Sequence, residues 1–235
     1  TGIISEAIKL HEEVQKLNDN YAYHHVIQKI HNFCVHELGG VYLDIIKDRM
    51  SVTKSNSYAR RSAQFALFEV AEILIRLISP ILVFTAEEIW QSHELFKKQS
   101  VSIFMASQKL LSEIESSISN EDWKKIFAVK DAVNQSIEKA RADSVIKGSL
   151  DSKISISCDK KTFKALQKIE DELKFVFISS EVEIAESSSS GLDIEVTNFD
   201  QKKCIRCWNK CSSVGLYAED PEICSRCYTC LLYTS

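Results

Sequence analysis

Apolar side chains recur every three to four positions along most of the first 140 residues, and the period falls to two near residue 150. From His24 to Lys47 the apolar positions Ile27, Ile30, Phe33/Cys34, Leu38, Val41/Tyr42 and Ile45 predict an amphipathic helix. A second helix is predicted from about Ser57 to Ser79, with Phe65, Phe68, Ala71, Leu74/Ile75 and Ile78 inward. Pro80 ends it and can start the next, from Ile81 to about Phe96. The serine-rich, acidic stretch Leu110 to Asn120 reads as a loop. Ser119 can then cap a helix from Glu121 that turns Trp123, Ile126/Phe127, Val133, Ile137 and Ala140 to one side. Past Gly148, Ile154, Ile156 and Cys158 alternate with polar residues, as a half-buried strand does. A short helix from Thr162 to about Leu173 follows, then a β-rich run, Phe175–Ile178. Val182/Ile184 and Leu192/Ile194/Val196 come next, separated by the serine linker Ser187 to Ser190. The expected fold class is mainly α: a helical bundle over 1–147, a small α/β junction over 148–198 and a metal-bound module over 199–235.

Composition sharpens this outline. Two prolines and six glycines in 235 residues leave little room for turns, so long helices should dominate. The net charge of −4 argues against a protein that coats nucleic acid indiscriminately; such binding must come from local patches. The longest apolar stretch, Ile73 to Phe84, is broken by Arg76 and Pro80 and is too short to span a bilayer. No membrane association and no signal peptide are expected. Helical periodicity is already running at Thr1, which is not a methionine, so the chain reads as a fragment.

Six of the eight cysteines lie in the last 32 residues, and four follow the spacing Cys204-x2-Cys207-x16-Cys224-x2-Cys227. Two such pairs with that separation read as a tetrahedral zinc site. Four thiolates leave no open coordination position, so the expected ion is structural and does not activate water. Cys211 and Cys230 lie close by, so a shifted ligand set such as Cys207/Cys211 stays open, though it is less regular. The other two cysteines, Cys34 and Cys158, argue against a disulfide framework and for a reducing compartment. A dithiol redox role would need the motif at a strand-to-helix turn of a βαβ unit, which the loop-like surroundings do not offer.

Arg206 and Arg226 precede the second cysteine of each pair, and Trp208 follows the first pair directly. An arginine-edged knuckle with an exposed tryptophan suits contact with a nucleic acid or a protein. Lys202, Lys203, Arg206 and Lys210 gather at the first knuckle, while Glu219, Asp220 and Glu222 flank the second. The first is therefore the expected anion-facing side. A second basic group, Lys47, Arg49, Lys54, Arg60 and Arg61, is opposed by Asp48 alone. It reads either as a solvated helix end or as a phosphate-contacting corner. His24 and His31 share a helix face but are separated by roughly 10 Å of rise, too far for one metal. Trp90 and Trp123 read as core. No catalytic residue is identified.

Three segments carry a resemblance. Tyr42-Leu-Asp-Ile-Ile-Lys-Asp-Arg49, Tyr58-Ala-Arg-Arg-Ser62 and Pro80-Ile-Leu-Val-Phe-Thr-Ala-Glu-Glu-Ile-Trp90 resemble the helical anticodon-binding domain of class I aminoacyl-tRNA synthetases. Ala140-Arg-Ala-Asp143 leading to Gly148-Ser-Leu150, Leu173-Lys-Phe-Val176 and the two cysteine knuckles narrow the resemblance to isoleucyl-tRNA synthetases of the bacterial type. That resemblance implies the tRNA-binding C-terminal part of an ATP-dependent ligase that attaches isoleucine to tRNA(Ile). The family's His-Ile-Gly-His and Lys-Met-Ser-Lys-Ser motifs are absent from these residues, so ATP and Mg2+ belong to catalytic and editing regions outside them. The implied tRNA contacts are Lys47, Arg49, Lys54, Arg60 and Arg61 for phosphates, with Arg206, Trp208 and Arg226 at the module. Residues 228–235 depart from the family pattern, which leaves the packing of the tail and any role for Cys230 open. A cytoplasmic monomer is expected, or an organellar one if the source is eukaryotic. The competing reading is a free-standing zinc-containing adaptor for RNA or protein.

Overall fold

The computed structural model describes residues 2–107, 118–187 and 191–231. The Leu110–Asn120 loop expectation falls outside these residues for 110–117, as do 188–190 of the serine linker and the last four residues. The chain divides into two compact units, Thr1–Leu43 with Ser62–Ser116 and Asp44–Arg61 with Ser117–Ser235.

The first unit is helical. It contains α1 (Gly2–Asp19), α2 (Tyr23–Asn32), a wider π-helical stretch over Phe33–Leu43, most of α4 (Tyr58–Ile78), α5 (Val83–Ser92) and α6 (Glu94–Lys97). The helix predicted over His24–Lys47 is thus α2, the π-helical stretch and the start of α3 (Asp44–Ser51). In the π-helical stretch a Cβ on Gly39 would sit 2.9 Å from the Cys34 carbonyl oxygen, so only glycine fits that winding. The helix α4 is buried along two stripes. Ala66, Val70, Ile73 and Leu77, spaced four, three and four apart, join α1 and α2 in one core cluster. Ile75, with Phe68, Ala71 and Ile78, packs against Ala86, Trp90 and Phe96 in another. Phe65 lies off both stripes and is 55% exposed, contrary to the sequence expectation. The predicted helix from Ile81 to Phe96 breaks at His93, whose backbone is extended and whose imidazole Nδ1 caps α6 by accepting from the Leu95 N–H at 3.3 Å.

The second unit is built on α7 (Asn120–Ala142) and a three-stranded sheet. Ser119 caps α7 as expected, its hydroxyl accepting from the Asp122 N–H at 3.1 Å. Strand order is β2-β1-β3, with β1 (Ser152–Cys158) parallel to β2 (Glu181–Glu186) and antiparallel to β3 (Asp193–Asn198). The alternation read from the sequence holds: Ser152, Ile154, Ile156 and Cys158 are buried. Ile154, Ile156 and Cys158 meet Ile126, Val133 and Ile137 of α7 and Ala165 and Leu166 of α8 (Lys160–Gln167) in one core.

The expected β-rich run Phe175–Ile178 is not a strand. Leu173–Val176 is a short helix, α9, and Leu173, Val176 and Phe177 are buried at helical spacing. A short apolar run carries no period that separates strand from helix, so burial decided it. Ile178 closes α9 at φ 54°, and the Ser179 N–H reaches back to the Lys174 carbonyl at 2.9 Å. Lys130, buried on α7, donates to the Val176 carbonyl at 2.6 Å, and burial pushes its amine below the usual lysine range. Trp123 packs against this core, as expected, although its indole N–H is buried without a partner.

Candidate metal centre and nucleic-acid surface

Two tight turns deliver the four cysteines. In the first, the Trp208 N–H bonds the Cys204 carbonyl at 2.8 Å, and the Cys204 N–H bonds the Asn209 carbonyl at 2.9 Å. In the second, Cys224 immediately precedes α10 (Ser225–Leu231), and Cys227 lies in its first turn. The Cys224 N–H points at Cys204 Sγ from 3.3 Å, joining the turns. All four residues are buried, and their sulfurs lie within 4.8 Å of one another, with Cys207 and Cys224 3.7 Å apart. A tetrahedral ion with metal–sulfur bonds of about 2.3 Å sets an edge of about 3.8 Å between its ligands. The donor set fits such an ion.

Crowding splits the thiols. Hydrogen bonds from Cys224 and Cys227 hold Cys207 far below the usual thiol range, with Asn209 and the Arg226 guanidinium adding to the effect. The Cys207 sulfur in turn pushes Cys224 up to about 11 and Cys227 upward as well. Four sulfurs this close ionise together only when a cation neutralises them.

The apolar surroundings of the site are small. Val52, Val214 and Ile223 pack on the cysteines, with Cys211 and Tyr228 at the edge. Cys211 sits 3.3 Å from Ser213 Oγ and is not one of the four clustered cysteines. Beyond Cys227 the chain stays packed as far as it is described: Tyr228 stacks on Tyr217 at 3.8 Å and donates to Glu219, and Cys230 is buried.

The eight candidate contact residues separate by their surroundings. Lys47, Arg61 and Trp208 face solvent. Arg49 pairs with Glu172, and Arg226 forks onto Asp48. Arg206 donates to the Cys227 carbonyl at 3.4 Å, and Arg60 donates to the Thr53 carbonyl at 3.3 Å while its Nε is buried without a partner. Lys54 is half-buried in the turn between them. Trp208 is 63% exposed at φ 64°, a left-handed conformation that is uncommon for any residue but glycine. Its indole N–H is taken by the Ile205 carbonyl at 3.1 Å, so the ring offers its faces and not a donor.

At the first knuckle, Lys203 pairs with Asp151 at 3.2 Å and Lys210 donates to Asn198 at 2.9 Å. The outward face of the sheet is the opposite in sign. Glu181, Glu183, Asp193 and Glu195 are exposed there, with Lys153 as their basic neighbour. Asp48, Glu172 and Phe175 are the site residues that sequence reasoning missed. Asp48 was legible only as an acid within a basic run, and nothing local connects it to a residue 178 positions away.

Residues 1–156 match the family described as the anticodon-binding domain of tRNA ligase. An isoleucine–tRNA ligase of Alcanivorax borkumensis is 41% identical over 97% of this chain, and one of Saccharophagus degradans is 39% identical over 95%. A third, from Stutzerimonas stutzeri, is 40% identical over 95%. The chain spans 25% of the length of these curated relatives. The family match covers the helical segment that carries the Tyr42–Arg49 and Pro80–Trp90 motifs and ends before the four-cysteine cluster, and the chain belongs to the anticodon-binding domain family of tRNA ligases.

Proposed function

We propose that this chain is the part of an isoleucine–tRNA ligase that holds the anticodon stem-loop of tRNA(Ile), while the rest of the polypeptide performs the ATP- and Mg2+-dependent attachment of isoleucine. In this reading a single structural zinc sits on Cys204, Cys207, Cys224 and Cys227 and stabilises the turns that carry the contact surface. The observation that carries the proposal is Trp208: a large ring kept exposed, in a strained backbone conformation, at the edge of the cysteine cluster. Its faces are suited to stacking on an unpaired base, as aromatic side chains do in single-stranded RNA loops. With its N–H already bonded, the ring contributes affinity without reading a base edge. Lys47 and Arg61 supply cationic charge for the backbone, and the acidic outer face of the sheet disfavours approach of a phosphate backbone to that face.

The test is binding of an anticodon stem-loop RNA to the zinc-loaded chain, followed by fluorescence anisotropy across a salt series. Wild type binds with a negative salt slope, and Trp208→Ala keeps its zinc while losing about 1–3 kcal/mol of affinity, the range for base–aromatic stacking. A Trp208→Ala variant with unchanged zinc content and unchanged affinity removes the stacking role. A wild-type chain that binds the stem-loop no better than an unrelated RNA hairpin removes the anticodon reading altogether.

A further inference from the structure

We propose that Arg226 and Asp48 form a strut between the metal knuckle and the basic turn after α3, so that metal occupancy governs how firmly that turn is presented to an RNA backbone. The inference rests on the anticodon-binding reading and names how that surface is held.

Arg226 lies between two of the clustered cysteines, Cys224 and Cys227, so its backbone is set by the same turn that sets those sulfurs. Its guanidinium is half-buried over the Phe175 ring, 5.3 Å from the centroid, and beside the Cys207 sulfur. Both ends of the fork reach Asp48, with Nη2 to Oδ2 at 2.8 Å and Nη1 to Oδ1 as its parallel partner. A planar, bidentate pair of this kind fixes orientation as well as distance. Asp48 lies on α3, and four residues on Val52 is buried among the cysteines, its N–H bonded to the Asp48 carbonyl at 2.8 Å.

From there the contacts run on through the turn. Thr53 Oγ1 donates to the Arg49 carbonyl at 2.6 Å, and Arg60 donates to the Thr53 carbonyl. The Arg60 N–H bonds Ser57 Oγ at 3.3 Å. Hydrogen bonds, linked through adjacent residues of the chain, therefore join a metal-ligand turn to the segment bearing Lys47, Lys54 and Arg61. The Arg49–Glu172 pair and the packing of Ile45 on the α7 core hold α3 independently, so losing the strut loosens the turn without releasing the helix.

Asp48→Asn gives the pair a test with an informative sign. It removes an acid from a basic corner, so simple charge counting predicts tighter RNA binding. The strut predicts weaker binding, because the amide cannot receive the guanidinium as a carboxylate does. The experiment takes the zinc-loaded chain as wild type, Asp48→Asn and Arg226→Lys, and reads three quantities: zinc content, amide hydrogen exchange over residues 44–61, and stem-loop affinity. Full zinc content, faster exchange over 44–61 and an affinity loss of about twofold to tenfold in both variants support the strut, matching couplings between contacting residues. Chelating the zinc from wild type speeds exchange over the same residues. Exchange over 44–61 that is indifferent to both Asp48→Asn and chelation overturns the proposal, as does tighter RNA binding by Asp48→Asn. Should wild type bind no RNA, the anticodon reading fails while the exchange measurement still decides whether the strut exists.

Discussion

Replacing Cys204 with serine tests the metal module most directly. Cys204 is fully buried and its sulfur accepts the Cys224 N–H, so it belongs both to the proposed coordination shell and to the joint between the two turns. Among the described residues, the apolar side chains other than cysteines that are buried within the module around the site are Val214 and Ile223. Each contributes about 1.5–3 kcal/mol when fully buried, whereas a four-ligand structural zinc contributes an apparent 10–16 kcal/mol or so at neutral pH. The metal term is the larger by a wide margin, and a serine hydroxyl does not replace a thiolate ligand. The expected result is loss of stoichiometric zinc and loss of amide protection over residues 200–231. The core of α7, α8 and the sheet keeps its protection, because its contacts do not pass through the cysteines. Metal content by a chromogenic chelator and hydrogen exchange by mass spectrometry read both outcomes. Cys211→Ser is the control and keeps its zinc. A Cys204→Ser chain that retains one equivalent of zinc, or a wild type whose module stays protected after complete chelation, would refute the reasoning.

Three further outcomes are expected. Ser119→Ala removes the cap of α7 and costs about 1 kcal/mol, seen as a lower thermal midpoint; an unchanged midpoint rules out a contribution from the cap. The hydrogen bond from Lys168, with Ser119 adding to it, holds the Asp122 carboxyl at about 2, below its ordinary 3.8. A depressed folded-state value contributes stability above the unfolded value that is lost as pH falls through the folded one. Acid unfolding between about pH 4 and pH 2 therefore becomes shallower in Asp122→Asn, and an identical acid transition in the variant contradicts the assignment. Ile156, 1% exposed at the centre of β1, leaves a cavity when cut to alanine and costs about 2–5 kcal/mol, read from the urea midpoint. A loss below about 0.5 kcal/mol, the scale of an ordinary surface substitution, means that this strand is not the centre of the core.

Much of this protein is written in short-range pattern. The spacing of the cysteines, the Ser119 cap and the period-two burial of Ile154, Ile156 and Cys158 are decided within a few residues of chain, and the structure bears out the clustering of the sulfurs, the cap and the strand. Elements whose outcome depends on distant partners were less legible. Phe65 was expected inward because aromatic residues at helical spacing suggest a core face, but α4 buries the smaller Ala66 stripe and leaves the ring in solvent. Leu173–Phe177 reads as apolar in any conformation, and only the pocket formed by α7 and the sheet makes it a helix. The arginines show the division most clearly. Composition made Arg49, Arg60, Arg206 and Arg226 look alike, each a positive charge beside a helix end or a knuckle. Tertiary structure gave each a different partner, a carboxylate for Arg49 and Arg226 and a backbone carbonyl for Arg60 and Arg206. Local sequence determines where helices start, where strands alternate and where four sulfurs can converge, because those depend on neighbours within a turn or on fixed ligand spacing. Which charges remain available to a ligand is decided only when the chain closes over long distances, since a partner 178 residues away leaves no trace in the local pattern.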